Sequence, residues 1–244
     1  MTPDIQAIFL DVGNTLRIVL PEPDFQARAK QQLMELVRST EDLTTFFDRV
    51  EARWKAYRNY SKNALLEASE LELWSQWLLP DYPIEIIAPN TSRLTRLWRD
   101  RDGRRVARHD AKETVIELRR RGYLLGIIAN TITETEIPDW MIADGVTQYF
   151  KTVILSSKVR IRKPDPNIYW LAARVMGVDP AHCAYLGDNP IRDVEGTRAA
   201  GFGMMVLFEE PDTLAKEPPT AEYKPDYAIK ETSQLLDIFP PRTA

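Results

Sequence analysis

The chain has 244 residues, 44% of them apolar and 28% charged, a composition that excludes wholesale disorder and leaves room for one large domain or two small ones. Its 32 Lys and Arg stand against 36 Asp and Glu, and the net charge of -4 argues against nucleic acid or an anionic membrane as the main partner. One thiol, Cys183, cannot close an intramolecular disulfide, and with only His109 and His182 beside it a His/Cys zinc site is excluded, so a reducing, cytoplasmic setting is expected.

The N-terminus lacks the basic stretch and cleavage site of a secretory signal, so the mature chain is expected to start near Met1. Residues 7–10, Ala-Ile-Phe-Leu, are wholly apolar and stop abruptly at Asp11, the pattern of a buried parallel strand ending at a functional edge. Residues 17–105 then break the rhythm, with helical spacing and hardly any strand signal. Phe46, Phe47, Val50, Trp54 and Tyr57 recur at intervals of three and four, as do Leu73, Trp74, Trp77 and Leu78, and then Leu94, Leu97 and Trp98. An inserted helical domain is expected, entered past Pro21 and Pro23, with its aromatic stripes forming its own small core. It carries 15 basic and 14 acidic side chains, so the acidity of the chain resides outside it. The arginines from Arg96 to Arg108 at its exit, interrupted by Asp100 and Asp102, read as a solvated or ion-paired stretch.

From residue 106 onward strand and helix alternate. Apolar runs at 123–129, 152–155, 183–186 and 204–208 are separated by helical patterns at 111–121, 167–176 and 191–200. The reading is an α/β core with a parallel sheet covered on both faces, binding ligands beyond the carboxyl ends of its strands. Residues 209–223 are expected to be loop, followed by a strand at 227–230 and a helix at 233–238. No run approaches the ~20 apolar residues that cross a bilayer.

Three groups of chemistry-bearing residues fall at predicted strand ends. Asp11-Val12-Gly13-Asn14-Thr15-Leu16 follows the first strand, with Gly13 permitting close backbone approach. Lys163-Pro164-Asp165-Pro166 precedes a helix, and Gly187-Asp188-Asn189-Pro190-Ile191-Arg192-Asp193 follows another strand and enters a helix. Taken singly, the first group reads as a turn closing a strand and Asp193 as an acid favoured by a helix dipole.

Taken together and in this order, they resemble the haloacid dehalogenase superfamily of hydrolases. The resemblance runs through residues 8–16, 126–131, 161–166 and 185–201, and is most specific from Gly187-Asp188 to Gly201. It implies a Rossmann-like core, residues 1–16 and 106–244, and a helical cap, residues 17–105, over the active site. By that resemblance Asp11 is the nucleophile towards phosphorus, and Asp11, Asp188 and the carbonyl of Gly13 hold Mg²⁺. Lys163 stabilises charge on the nucleophile and transferring group, Asn130 and Thr131 bind phosphate with Lys163, and Asp193, Thr15 and Asn189 support the site. The physics agrees, because Asp11 and Asp188 brought together would repel each other and any phosphate unless a hard cation with oxygen ligands lay between them.

The chain departs from the family pattern at two places. The aspartate that phosphatases of this family carry two residues after the nucleophile, as general acid and base, is Gly13 here. The hydroxyl residue of the second motif is Ala129, with Asn130 and Thr131 following and the N–H of Asn130 still able to donate. A positioned general acid contributes roughly 10²- to 10⁴-fold, so catalysis is weakened but not excluded. Three expectations follow. The first is a Mg²⁺-dependent phosphatase acting on a small phosphorylated metabolite through an aspartyl-phosphate on Asp11. The second is a non-catalytic module binding a phosphorylated ligand or a protein, and the third, disfavoured by Gly187-Asp188, is a metal-independent 2-haloacid dehalogenase.

Overall fold

The computed structural model describes residues 4–218 and 224–242. Six strands form one parallel sheet: β1 (Ala7–Leu10), β4 (Leu124–Ala129), β5 (Phe150–Leu155), β6 (Cys183–Gly187), β7 (Met204–Phe208) and β8 (Tyr227–Ile229). Their spatial order is β5-β4-β1-β6-β7-β8. The chain therefore winds outward from β1 in one direction through β4 and β5 and in the other through β6, β7 and β8. The carboxyl end of β1 lies at the reversal, where open parallel sheets bind ligands.

Alternation along β1 shows why this run had to be wholly apolar. Ile8 and Leu10 join one face, packed with Val115 and Leu118 of the helix Ala111–Arg120. Ala7 and Phe9 join the other, against Ile168, Tyr169 and Ala172 of the helix Pro166–Met176. Strand residues point alternately to the two faces, and both faces are covered, so no position tolerates a polar side chain until the strand ends at Asp11.

Between β1 and β4 stands a mainly helical segment whose main helices are Pro23–Leu36, Leu43–Ala64 and Thr91–Asp100, with shorter helical turns between. Asp42 caps the longest by accepting the Thr45 N–H at 3.0 Å, and Ser69 with Glu72 forms a capping box ahead of the π-helical turn Leu73–Leu78. Phe46, Val50, Tyr57, Leu73, Trp74 and Trp98 meet in a separate hydrophobic cluster, so the aromatic stripes are core.

Two expectations need correction. The stretch 17–105 is not free of strands, because β2 (Arg17–Leu20) and β3 (Arg104–Ala107) pair antiparallel from Arg17↔Ala107 to Leu20↔Arg104. These strands are short, partly exposed and rich in arginine, so they show no apolar run. The expected loop at 209–223 contains a helix, Pro211–Lys216, begun by a proline in the first turn, where no N–H is needed. Residues 219–223 lie outside the described residues. The expected strand at 227–230 is Tyr227–Ile229, and the expected helix at 191–200 is a π-helical turn, Pro190–Glu195, followed by Gly196–Ala199. Among the described residues no helix is long and apolar enough to cross a membrane.

Candidate active site

β1 and β6 are neighbours in register, Leu10 opposite Leu186, and the Asp11 N–H donates to the Leu186 carbonyl at 2.8 Å. Two adjacent parallel strands thus end in carboxylates, Asp11 and Asp188. Asp193 comes back to the same place from the turn Pro190–Glu195, and one oxygen from each of the three lies within 4.8 Å of the others. All three are at least 96% buried. Gly187 makes the return possible, because a Cβ there would overlap the Asp193 carboxylate.

Lys163 enters this acidic centre with its Nζ 3.0 Å from Asp11 Oδ1 and 2.7 Å from Asp193 Oδ1. It also donates to the Tyr185 hydroxyl at 2.5 Å, and that hydroxyl donates to the Ile128 carbonyl at 2.9 Å. The other oxygen of Asp193 accepts the Asn189 N–H at 3.0 Å. Asp193 is therefore committed to holding Lys163 and the turn after Asp188. Asn189 reinforces that turn, its Oδ1 accepting the Arg192 N–H at 2.6 Å while its amide donates to Glu217. Asp188 accepts from the Thr213 hydroxyl at 2.6 Å and lies 3.4 Å from Arg192 Nη2.

Electrostatics separates the three acids. Burial raises the Asp11 pKa above the usual carboxylate value, with Lys163 opposing it. Burial and the charge of Asp11 push Asp188 up to about 6. Burial would raise Asp193 as well, but Lys163 and Arg192 outweigh it and hold this acid below its ordinary value. Three buried carboxylates face two cations, Lys163 and Arg192, so one negative charge is left over where Asp11 and Asp188 meet. Carboxylate oxygens are the donors a hard divalent ion prefers, and the donor set therefore suits Mg²⁺.

The expected phosphate-binding residues follow β4. Ala129 ends the strand, and the Asn130 side chain is engaged with the Lys163 main chain, donating to its carbonyl at 2.9 Å and accepting its N–H at 2.8 Å. Any direct contact between Asn130 and a ligand thus falls to its main chain. The Thr131 N–H donates to Ser156 Oγ at 2.8 Å, while its hydroxyl accepts the Thr133 N–H at 3.2 Å. Ser156 reaches Glu67 Oε2 of the inserted segment at 3.1 Å, and Glu67 faces Arg162 at 3.2 Å. Thr15 is fully buried, with no hydrogen-bond partner for its hydroxyl among the described residues.

A cavity of about 100 Å³ opens beside this centre, walled by Gly13 and Asn14 after β1, Asn130 and Thr131 after β4, and three arginines: Arg17, Arg99 and Arg105. Arg17 and Arg99 both pair with the buried Glu136. Burial alone would raise the pKa of Glu136, but Arg99, Arg105 and Arg17 hold it down to about 2. Much of the basic stretch is ion-paired as expected, Arg96 with Asp139, Arg101 with Glu51, Arg104 with Glu22 and Arg108 with Glu210. Arg99 and Arg105 instead reach the cavity wall. Sequence reasoning also passed over Tyr185 and Ser156, hydroxyls in or beside apolar strands, and Thr213, in the stretch taken for loop.

Fold and site together define an α/β protein with a carboxylate and lysine centre at the switch point of a parallel sheet. Within that class the chain belongs to the haloacid dehalogenase-like hydrolases, whose family model matches residues 5–201. A glyceraldehyde 3-phosphate phosphatase of Methanopyrus kandleri is 30% identical over 131 residues, 53% of this chain and 54% of that protein, so the chain spans about half the length of this relative. One of Pyrococcus furiosus is 25% identical over 242 residues, 96% of this chain and 93% of that protein. Among solved structures, a 2-haloacid dehalogenase from Pseudomonas syringae superposes with a TM-score of 0.70 at 18% identity, covering 96% of this chain and 97% of that one. At that identity the likeness is one of fold.

Proposed function

We propose that the chain is a Mg²⁺-dependent phosphatase of small phosphorylated metabolites, with residues 1–16 and 106–244 as the catalytic core and 17–105 as a cap. The observation that carries this reading is the buried carboxylate pair Asp11 and Asp188, which together with Asp193 outnumbers the two cations beside it, Lys163 and Arg192. A metal-free dehalogenase has no use for a second buried acid at Asp188, and burying an unneutralised charge costs several kcal/mol. Asp11 and Asp188, with the Gly13 carbonyl, would hold the ion. When bound, it would supply charge neutralisation and polarise a phosphoryl oxygen.

The protein's own groups then have separable roles. Asp11 Oδ attacks phosphorus, the P–O ester bond breaks, and the leaving alkoxide takes its proton from water, because Gly13 offers no acid. Water next attacks the aspartyl-phosphate, returning the carboxylate and releasing inorganic phosphate. Lys163 keeps a positive charge at the attacking carboxylate and the transferring group, and Asp193 with Tyr185 fixes its position. Main-chain groups after β4 present the phosphate-binding side, braced through Ser156.

The test is phosphate release from a panel of small phosphate esters, with and without Mg²⁺, for the wild type and Asp11→Asn. Release that needs Mg²⁺ and disappears in the variant is the expected result, and acid-quenched wild-type protein should carry a phosphoryl adduct on Asp11. Turnover that survives Asp11→Asn overturns the proposal, as does the absence of both turnover and adduct.

A further inference from the structure

The cavity beside Asp11 is lined by three arginines and by no acid. Glu136 answers Arg17 and Arg99 from behind the wall. Arg105 is less well satisfied. Among the described residues it makes one side-chain hydrogen bond, from Nη1 to the Arg99 carbonyl at 2.6 Å, and its nearest carboxylate, Asp102, is 3.7 Å away. A guanidinium has five N–H donors, so most of those on Arg105 have no protein acceptor. Burial and the charge of Arg99 alongside lower its pKa to about 10, against the opposing charges of Glu136, Asp102 and Asp100. Arg17 is 8% exposed, and its Nε finds no acceptor.

These arginines share the cavity wall with Gly13, two residues after Asp11, and with Asn130 and Thr131, which follow β4. We infer that the substrate of the proposed phosphatase carries a carboxylate at the far end of a short carbon skeleton, and that Arg105, flanked by Arg17 and Arg99, selects it. This inference rests on the phosphatase reading and narrows it to phosphate monoesters of small hydroxy acids. Size and charge both point this way. A cavity of about 150 Å³ holds a benzene molecule, so about 100 Å³ suits a few carbons and a carboxylate rather than a nucleoside or a sugar ring. A planar guanidinium matches a carboxylate through two parallel hydrogen bonds. Glu136 and Asp102 already offset part of the arginine charge, which leaves a place for a single negative charge better than for a second phosphate.

The experiment compares 3-phosphoglycerate with glycerol 3-phosphate, which differ at one end by carboxylate against hydroxymethyl, and adds inorganic pyrophosphate. Turnover is measured for the wild type, Arg105→Gln and Arg105→Lys. Binding is measured by calorimetry on Asp11→Asn and on the same protein carrying Arg105→Gln, with Mg²⁺ present. The wild type should prefer 3-phosphoglycerate by about tenfold or more in kcat/KM. Arg105→Gln should erase that preference through KM while glycerol 3-phosphate turnover stays within a few-fold, and Arg105→Lys should retain part of it, since a point charge cannot bind bidentately. Equal use of the two esters, a preference for pyrophosphate, or a preference that survives Arg105→Gln overturns the inference while the phosphatase reading stands. Arginine-dependent binding of 3-phosphoglycerate without turnover of any ester keeps Arg105 as the group that recognises a carboxylate and overturns the phosphatase reading. Neither binding nor turnover of any probe overturns both.

Discussion

Asn130 and Lys163 exchange two hydrogen bonds, the Asn130 amide donating to the Lys163 carbonyl at 2.9 Å and its oxygen accepting the Lys163 N–H at 2.8 Å. The end of β4 is thereby tied to the segment that carries the lysine of the acidic centre. The Asn130 side chain thus sets the main chain from which Lys163 reaches Asp11, and leaves the donor role towards phosphate to its N–H.

Asn130→Leu removes that tie without adding charge. Loss of two hydrogen bonds at about 1 kcal/mol each loosens the lysine's main chain, so kcat should fall roughly 10- to 100-fold with a smaller change in KM. Steady-state kinetics reads the split. A fall confined to KM would show that Asn130 acts on the ligand and not through Lys163.

Gly13→Asp should raise the rate. A Cβ at Gly13 would meet nothing within 4 Å, so the missing acid can be installed without displacing a neighbour. If its carboxyl reaches the leaving oxygen, kcat should rise by up to about 10²-fold, and the amount of trapped phosphoryl adduct should fall as hydrolysis quickens. No change in either quantity would show that water already protonates the leaving group without penalty.

Asp188 carries the pH signature of the acidic centre. Its folded pKa, about 6, lies above the ordinary carboxylate value, so ionising it costs the folded state and not the unfolded one. With EDTA present, stability should fall as pH rises from about 4 to about 6. Asp188→Asn should show a flatter profile and at pH 7 should be more stable than the wild type by on the order of 1–3 kcal/mol. Mg²⁺ should raise the wild-type Tm and leave that of the variant unchanged, a readout independent of activity. Denaturant titrations across that range check the sign, and an equal Mg²⁺ effect on both proteins would remove Asp188 from the metal site.

Glu136 has the opposite sign. Its pKa is held near 2, so its pairing with Arg99 and Arg17 stabilises the fold above the ordinary carboxylate value and is lost as pH falls from about 4.5 to about 2. Glu136→Gln should cost on the order of 3 kcal/mol at pH 7 and progressively less below pH 4.5. A cost that stays constant down to pH 2 would point to lost packing and not to lost charge.

How far the sequence carried the reading depended on what each element buries. β1, β4, β6 and β7 are covered on both faces, so their residues form apolar runs that end at Asp, Asn, Gly or Glu and are easily seen. β2 and β3 are covered less and hold arginines, and the contact between Arg17 and the Arg105 carbonyl joins residues 88 apart, which no local pattern can show. Asp11, Lys163, Asp188 and Asp193 were legible because each follows or precedes a strand or helix in a recognisable order, and the structure brings them together. Tyr185 was not, since its ring completes the buried face of β6 and only its hydroxyl serves Lys163. Thr213 was hidden by surrounding prolines and acids that read as loop, yet its hydroxyl is the closest side-chain partner of Asp188.

The chain crosses between the sheet and the inserted helices only twice, and both crossings are rails of the ladder formed by β2 and β3. Arg17 opens one rail and Arg105 sits on the other, each with its side chain on the cavity wall. A ligand that bridged the two guanidiniums would splint the ladder through which the helical segment joins the sheet, so affinity at that end of the molecule would also be stiffness. Evolution towards a different substrate at these positions would have to retune a spring together with a receptor.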